Sequence, residues 1–123
     1  MSTPSESAAE EPSELEIDPA ELVAWRMRRP ELQIVDVRER YEREAGHIQD
    51  SGHIELTELS GRAGELDRAV PIVFYCRVGS RSGMAAQAFR ASGFRAHSLR
   101  GGLLRWTQEQ RPLIPADGHV ADH

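Results

Sequence analysis

The sequence predicts an α/β fold built on buried parallel strands, and three observations carry that prediction. Ile72-Val73-Phe74-Tyr75 is an unbroken apolar run of β-branched and aromatic residues, the composition of a strand covered on both faces. Met84, Ala85, Ala88 and Phe89 follow it at helical spacing. Ile34-Val35-Asp36-Val37 is a second buried run, followed by another short helical segment.

Length and composition set the limits. A chain of 123 residues with 39% hydrophobic and 28% charged residues is an ordinary globular domain, with room for one core and not two. A single cysteine rules out an internal disulfide framework and agrees with a reducing compartment. The N-terminus has neither the basic region nor the apolar stretch of a signal peptide, and no segment is long enough to span a bilayer. The expected setting is the cytoplasm, without a membrane partner and as a monomer. The net charge of -5 resides in Glu6, Glu10, Glu11, Glu14 and Glu16, and the remainder of the chain balances. Every base is arginine and no basic stripe is present, so nucleic-acid binding is not expected. Attraction for an anion must come from local geometry.

The elements follow in order. Residues 1–13, rich in Ser, Glu, Pro and Ala, read as a disordered acidic tail, and residues 14–115 as the folded domain. Leu15 and Ile17 alternate with Glu16 as in a short edge strand. Asp18-Pro19-Ala20-Glu21 is a helix start, with cap, first-turn proline and an acid at the third position. That helix runs to about Arg29, where Pro30 closes it. In the second strand Asp36 needs a partner, either Arg38 or the amides and arginines after Cys76. Glu39 to Ala45 reads as a surface helix ending at Gly46 as its capping glycine. His47 then suits a backbone hydrogen bond better than catalysis. A strand is expected at Ile54. Leu59, Ala63 and Leu66 are helically spaced, but Gly61 and Gly64 predict a short or frayed helix. Pro71 opens the central strand, and Gly93 ends the helix after it as a left-handed cap. Ala96 to Leu99 forms the last strand. Gly101-Gly102 opens a final helix whose Trp106 belongs to the core. An ordered turn from Pro112 leads to a flexible tail at 116–123, where His119, Asp122 and His123 do not amount to a metal site.

The candidate site is the loop Cys76-Arg77-Val78-Gly79-Ser80-Arg81-Ser82. Ligands of open α/β sheets bind at the carboxyl edge of the strands, and the helix that follows aims its unpaired N–H groups back at this loop. Gly79 permits the sharp turn that a cradle of amides needs. Arg77 and Arg81 flank the sulfur, so the setting favours an exposed, reactive thiolate. The competing reading is a buried structural cysteine.

The cysteine loop resembles the active-site loop of rhodanese-domain sulfurtransferases. Further matches stand in the expected order: Val35-Asp36-Val37-Arg38, Gly46-His47-Ile48, Gly93-Phe94, and Leu99-Arg100-Gly101-Gly102 followed by Trp106. The resemblance implies a three-layer α/β/α fold with a central, mostly parallel five-stranded sheet. It implies that Cys76 accepts a sulfane sulfur from a small anionic donor such as thiosulfate. The persulfide would pass that sulfur to a thiol, a cyanide-like nucleophile or a protein acceptor, without metal or organic cofactor. Residues 77 to 82 would bind substrate, and Asp36 and Arg38 would support them from behind. The alternatives are a protein-to-protein sulfur relay or a non-catalytic docking module. A cysteine phosphatase fits less well, because that pattern sets its arginine six positions after the cysteine and Arg81 stands five after. The chain departs from the family pattern at Gln49-Asp50, where Pro-Gly is usual, and at Glu55, where proline is common. A different substrate rim is therefore expected.

Overall fold

The computed structural model describes residues 11–123. Five strands, β1 (Glu16–Ile17), β2 (Gln33–Asp36), β3 (Gly52–His53), β4 (Ile72–Tyr75) and β5 (Ala96–Leu99), form one sheet in the order β1-β5-β4-β2-β3. Every pairing is parallel. The helices are α1 (Pro19–Arg28), α2 (Arg40–Ala45), α3 (Ser80–Ala91) and α4 (Gly102–Gln108).

Alternation along the strands divides the core into two layers. Ile34, Val73, Tyr75 and Leu99 pack with Leu22 and Trp25 of α1 and Leu103 and Trp106 of α4. Val35, Ile72, Phe74, Cys76 and Ala96 pack with Ala85, Ala86 and Phe89 of α3. The sheet thus lies between two helical layers, and β4 at its centre has no exposed residue.

Local chemistry accounts for the element ends. Glu21 accepts the Asp18 N–H at 2.8 Å, closing the start of α1. The region expected as a frayed helix is two 3₁₀ turns, Leu56–Glu58 and Ala63–Glu65, separated around Gly61. The strand expected at Ile54 ends one residue earlier. Gly93 has φ 93° and caps α3 in the left-handed region. Gly46 caps α2 as expected, its N–H donating to the Arg43 carbonyl, but its φ of 170° is ordinary extended backbone and not left-handed. Glycine is needed there because a Cβ would stand 2.7 Å from the His119 carbonyl and 2.9 Å from Leu113. Asp50 adopts φ 63° where the family pattern has glycine, a conformation that aspartate tolerates better than most residues.

Residues 1–10 of the expected acidic tail lie outside the described residues. Within the remaining part, Glu11 pairs with Arg95 at 2.8 Å, and Arg90 donates to the Ser13 and Glu14 carbonyls. His97 on β5 is 2% exposed, meets Trp25 edge-on at 5.3 Å and donates from Nδ1 to the Glu14 carbonyl at 2.6 Å.

Burial, helped by the charges of Arg90 and Arg95, holds the His97 imidazole below its ordinary value of 6.5. Above pH 6.5 the group is neutral in both states and adds no pH dependence; as pH falls below 6.5 the unfolded chain takes up the proton first, so stability falls. Urea-unfolding midpoints are expected to drop between about pH 7.5 and about pH 5.5, and His97→Asn to flatten that slope. An unchanged slope in the variant would assign the dependence to other groups.

Candidate active site

Cys76 follows the last residue of β4 and continues the face of Ile72 and Phe74 toward α3. It is 0% exposed, which corrects the expectation of an exposed sulfur. The cause is Gly79, whose left-handed φ of 108° turns the loop and the first turn of α3 back over the side chain. This burial is polar on the loop side. The Gly79 N–H donates to Sγ at 3.1 Å and the Ser82 N–H at 3.4 Å, with the Ser82 hydroxyl also 3.4 Å away. Ser82 Oγ stands 2.7 Å from Ser98 Oγ, which ties the cradle to β5.

The final helix clamps the loop from below. The Leu103 N–H donates to the Cys76 carbonyl and the Leu104 N–H to the Arg77 carbonyl, both at 2.9 Å. Such contact requires almost no side chain at the helix start. Gly102 has φ 60°, and a Cβ there would lie 2.5 Å from the Arg77 carbonyl oxygen and 2.7 Å from that of Cys76.

The two arginines are placed unequally. Arg81, expected with Arg77 to flank the sulfur, forms a two-pronged ion pair with Glu42 of α2, at 2.8 and 2.9 Å. Glu42 is fully buried and the Arg81 side chain is 15% exposed. Burial alone pushes the Glu42 carboxyl up, but hydrogen bonds from Arg81 and the Glu39 N–H, with the charges of Arg81 and Arg38, outweigh it and leave the group below its ordinary value. Arg77 lies at the rim, 3.5 Å from the Asp122 carboxylate, and its buried Nε makes no hydrogen bond among the described residues. Val78 is 47% exposed at the same rim, and Ser80 is exposed where it opens α3.

Of the two partner sets open to Asp36, the structure takes Arg38. Both are fully buried, joined at 2.7 and 2.9 Å, and Arg38 also donates to the Gly46 carbonyl at 2.7 Å. This pair braces the chain beside the cradle and does not enter it. His47 bonds the Arg43 carbonyl through Nδ1 at 3.2 Å, in line with a backbone-binding residue. Glu39, Glu42 and His123 bring ligand atoms within 4.8 Å of one another, but both Glu42 oxygens already accept from Arg81.

Glu42 is the site residue that sequence reasoning missed. Standing three positions after Glu39, it reads as the acid of a capping box, and it does accept the Glu39 N–H at 3.0 Å. Its second partner is 39 positions away, and the only hint was an arginine whose charge needed an opposite one.

Residues 18–109 match the family model for the rhodanese-like domain. The chain belongs to the rhodanese-like family. The chain is 40% identical over 75 residues to the uncharacterized protein YqhL of Bacillus subtilis, a match covering 60% of each chain. It is 31% identical over 87 residues to the thiosulfate sulfurtransferase GlpE of Coxiella burnetii, covering 69% of this chain and 81% of that one. A rhodanese-related protein of known structure from Thermoplasma volcanium superposes with a TM-score of 0.75 at 27% identity, covering 82% of this chain and 98% of its own. The five-stranded parallel sheet and its helices are therefore those of a rhodanese-like domain, and sulfur transfer is the general activity associated with it.

Two substitutions test this construction. Gly102→Ala places a methyl group against the backbone of the cysteine loop in a disfavoured conformation, and a loss of about 1–3 kcal/mol in urea unfolding is expected. Glu42→Ala leaves Arg81 largely buried and uncompensated, with an expected loss of about 3 kcal/mol. Near-neutral values would mean that the loop relaxes freely around either change.

Proposed function

We propose that this rhodanese-like domain moves a sulfane sulfur from a small donor, thiosulfate being the reference case, to a thiophilic acceptor through a persulfide on Cys76. The observation that supports this most directly is the pair of N–H groups, from Gly79 and Ser82, aimed at the chain's only sulfur nucleophile. Main-chain donors fixed around a sulfur stabilise negative charge there without reorganising during the reaction.

In the first step the Cys76 thiolate attacks the outer sulfur of thiosulfate. The new S–S bond forms as the bond to the sulfonate sulfur breaks, and sulfite leaves with the electron pair. In the second step an acceptor thiolate or cyanide attacks the outer sulfur of the persulfide and Cys76 regains its thiolate. Arg77, Val78, Gly79, Ser80, Arg81 and Ser82 surround the donor in this reading, with Arg77 supplying rim charge. Arg81 holds the loop against α2 through Glu42, and Asp36 with Arg38 braces it from behind. The same pairing weighs against phosphatase chemistry, since the guanidinium that would clamp phosphate is engaged.

Intact-mass analysis after exposure to thiosulfate is expected to show one added sulfur atom, located on Cys76. Cys76→Ser should load none while unfolding at a similar midpoint. Loading that persists in this variant would overturn the assignment.

A further inference from the structure

The segment after α4 returns to the active-site rim. Ile114 pairs antiparallel with His47, through N–O contacts of 3.0 and 2.8 Å. The His119 N–H donates to the Ala45 carbonyl at 2.9 Å, and Val120 packs on the α1 and α4 layer. Beyond Val120 the grip changes. Asp122 accepts the Tyr41 hydroxyl on its carbonyl at 2.9 Å and faces Arg77 with its carboxylate at 3.5 Å, while His123 bonds Glu39 at 3.1 Å. These last contacts join the two sides of the mouth, the cysteine loop and the start of α2. They are surface contacts, with the Asp122 side chain 99% exposed, and pairs of this kind are individually weak. The tip can therefore lift while residues 113–120 stay anchored. Beside it a cavity of about 330 Å³, lined by Val37, Glu39, Glu55, Thr57, Arg81 and His123, remains open.

We propose that the tip of this arm, residues 121–123, is a size-selective cover over the Cys76 loop, and that Tyr41 and Asp122 determine which acceptor reaches the sulfur. Cys76 is 0% exposed with the arm in place, so a small thiol or anion needs the cysteine loop to open but not the arm. A protein acceptor reaches Cys76 only once the tip is displaced from Tyr41 and Arg77. This rests on Cys76 being the sulfur-transfer nucleophile, but its geometric content stands separately.

Because Cys76 is the only cysteine, alkylation followed by intact mass reports on this residue alone. Rates are measured with iodoacetamide and with a polyethylene glycol maleimide, in the full chain, in a chain lacking residues 121–123 and in the full-length Tyr41→Phe variant. The ratio of the bulky to the small reagent's rate is expected to rise about tenfold in the shortened chain and about threefold in Tyr41→Phe, the weaker lesion. Tyr41→Phe decides where the shortened chain melts earlier than the full one. A rise above twofold supports the cover, and a ratio within twofold of the full chain's overturns it. Sulfur loading from thiosulfate, followed in parallel, separates the two failures. Absent loading with a raised ratio sinks the transfer reading, whereas normal loading with an unchanged ratio sinks only the cover.

Discussion

A sulfur at the end of a strand buried on both faces can be met by polar groups only from the loop that follows it. The rest of the site depends on that constraint. For the Gly79 and Ser82 N–H groups to face Cys76, the loop must reverse within three residues, and it does so through the left-handed backbone of Gly79. The reversal leaves the Cys76 and Arg77 carbonyls pointing the other way. They are satisfied by Leu103 and Leu104 across a gap that only Gly102 can leave open. Cradle and final helix are thus one construction, with amides turned up to the sulfur and carbonyls turned down to α4.

Charge is handled in the same contained way. Asp36–Arg38 and Arg81–Glu42 each place opposite charges in hydrogen-bond contact with little or no exposure. Such pairs add little net stability compared with apolar packing, but removing one member strands the other in a low-dielectric setting. Their effect is to fix geometry: Arg38 reaches on to the Gly46 carbonyl, and Arg81 joins α3 to α2. Arg81 is thereby compensated inside the protein, while Arg77 faces Asp122 at the rim.

The parts of this structure that were legible in the sequence are those written in local pattern. The run Ile72 to Tyr75 and the capped start at Asp18 to Glu21 each depend on a few neighbouring residues, and each formed where the pattern places it. The ordered motifs around Cys76 carried the family and the architecture. What stayed hidden was pairing across distance. The contact of Glu42 with Arg81 has no local signature, because a capping acid looks the same with or without a second partner. Burial of Cys76 was hidden too, since an exposed sulfur and a cradled one are spelled by the same loop. Gly46 shows a further ambiguity: the residue type signals a special position without saying whether backbone angle or close packing requires it, and here it was packing.

Of the departures from the family pattern, the one at Glu55 reaches the site through α2. Asp50 takes the left-handed turn in place of glycine, and Glu55 uses its carboxylate to accept the Arg40 N–H at the start of α2. A proline at 55 could not make that bond. With α2 held by Glu55 at its first residue, Glu42 two residues later is fixed opposite Arg81, and Tyr41 beside it faces outward to Asp122. The change at Glu55 and the buried ion pair therefore meet on one short helix. Its inner side sets the charge of the cradle and its outer side meets the returning chain.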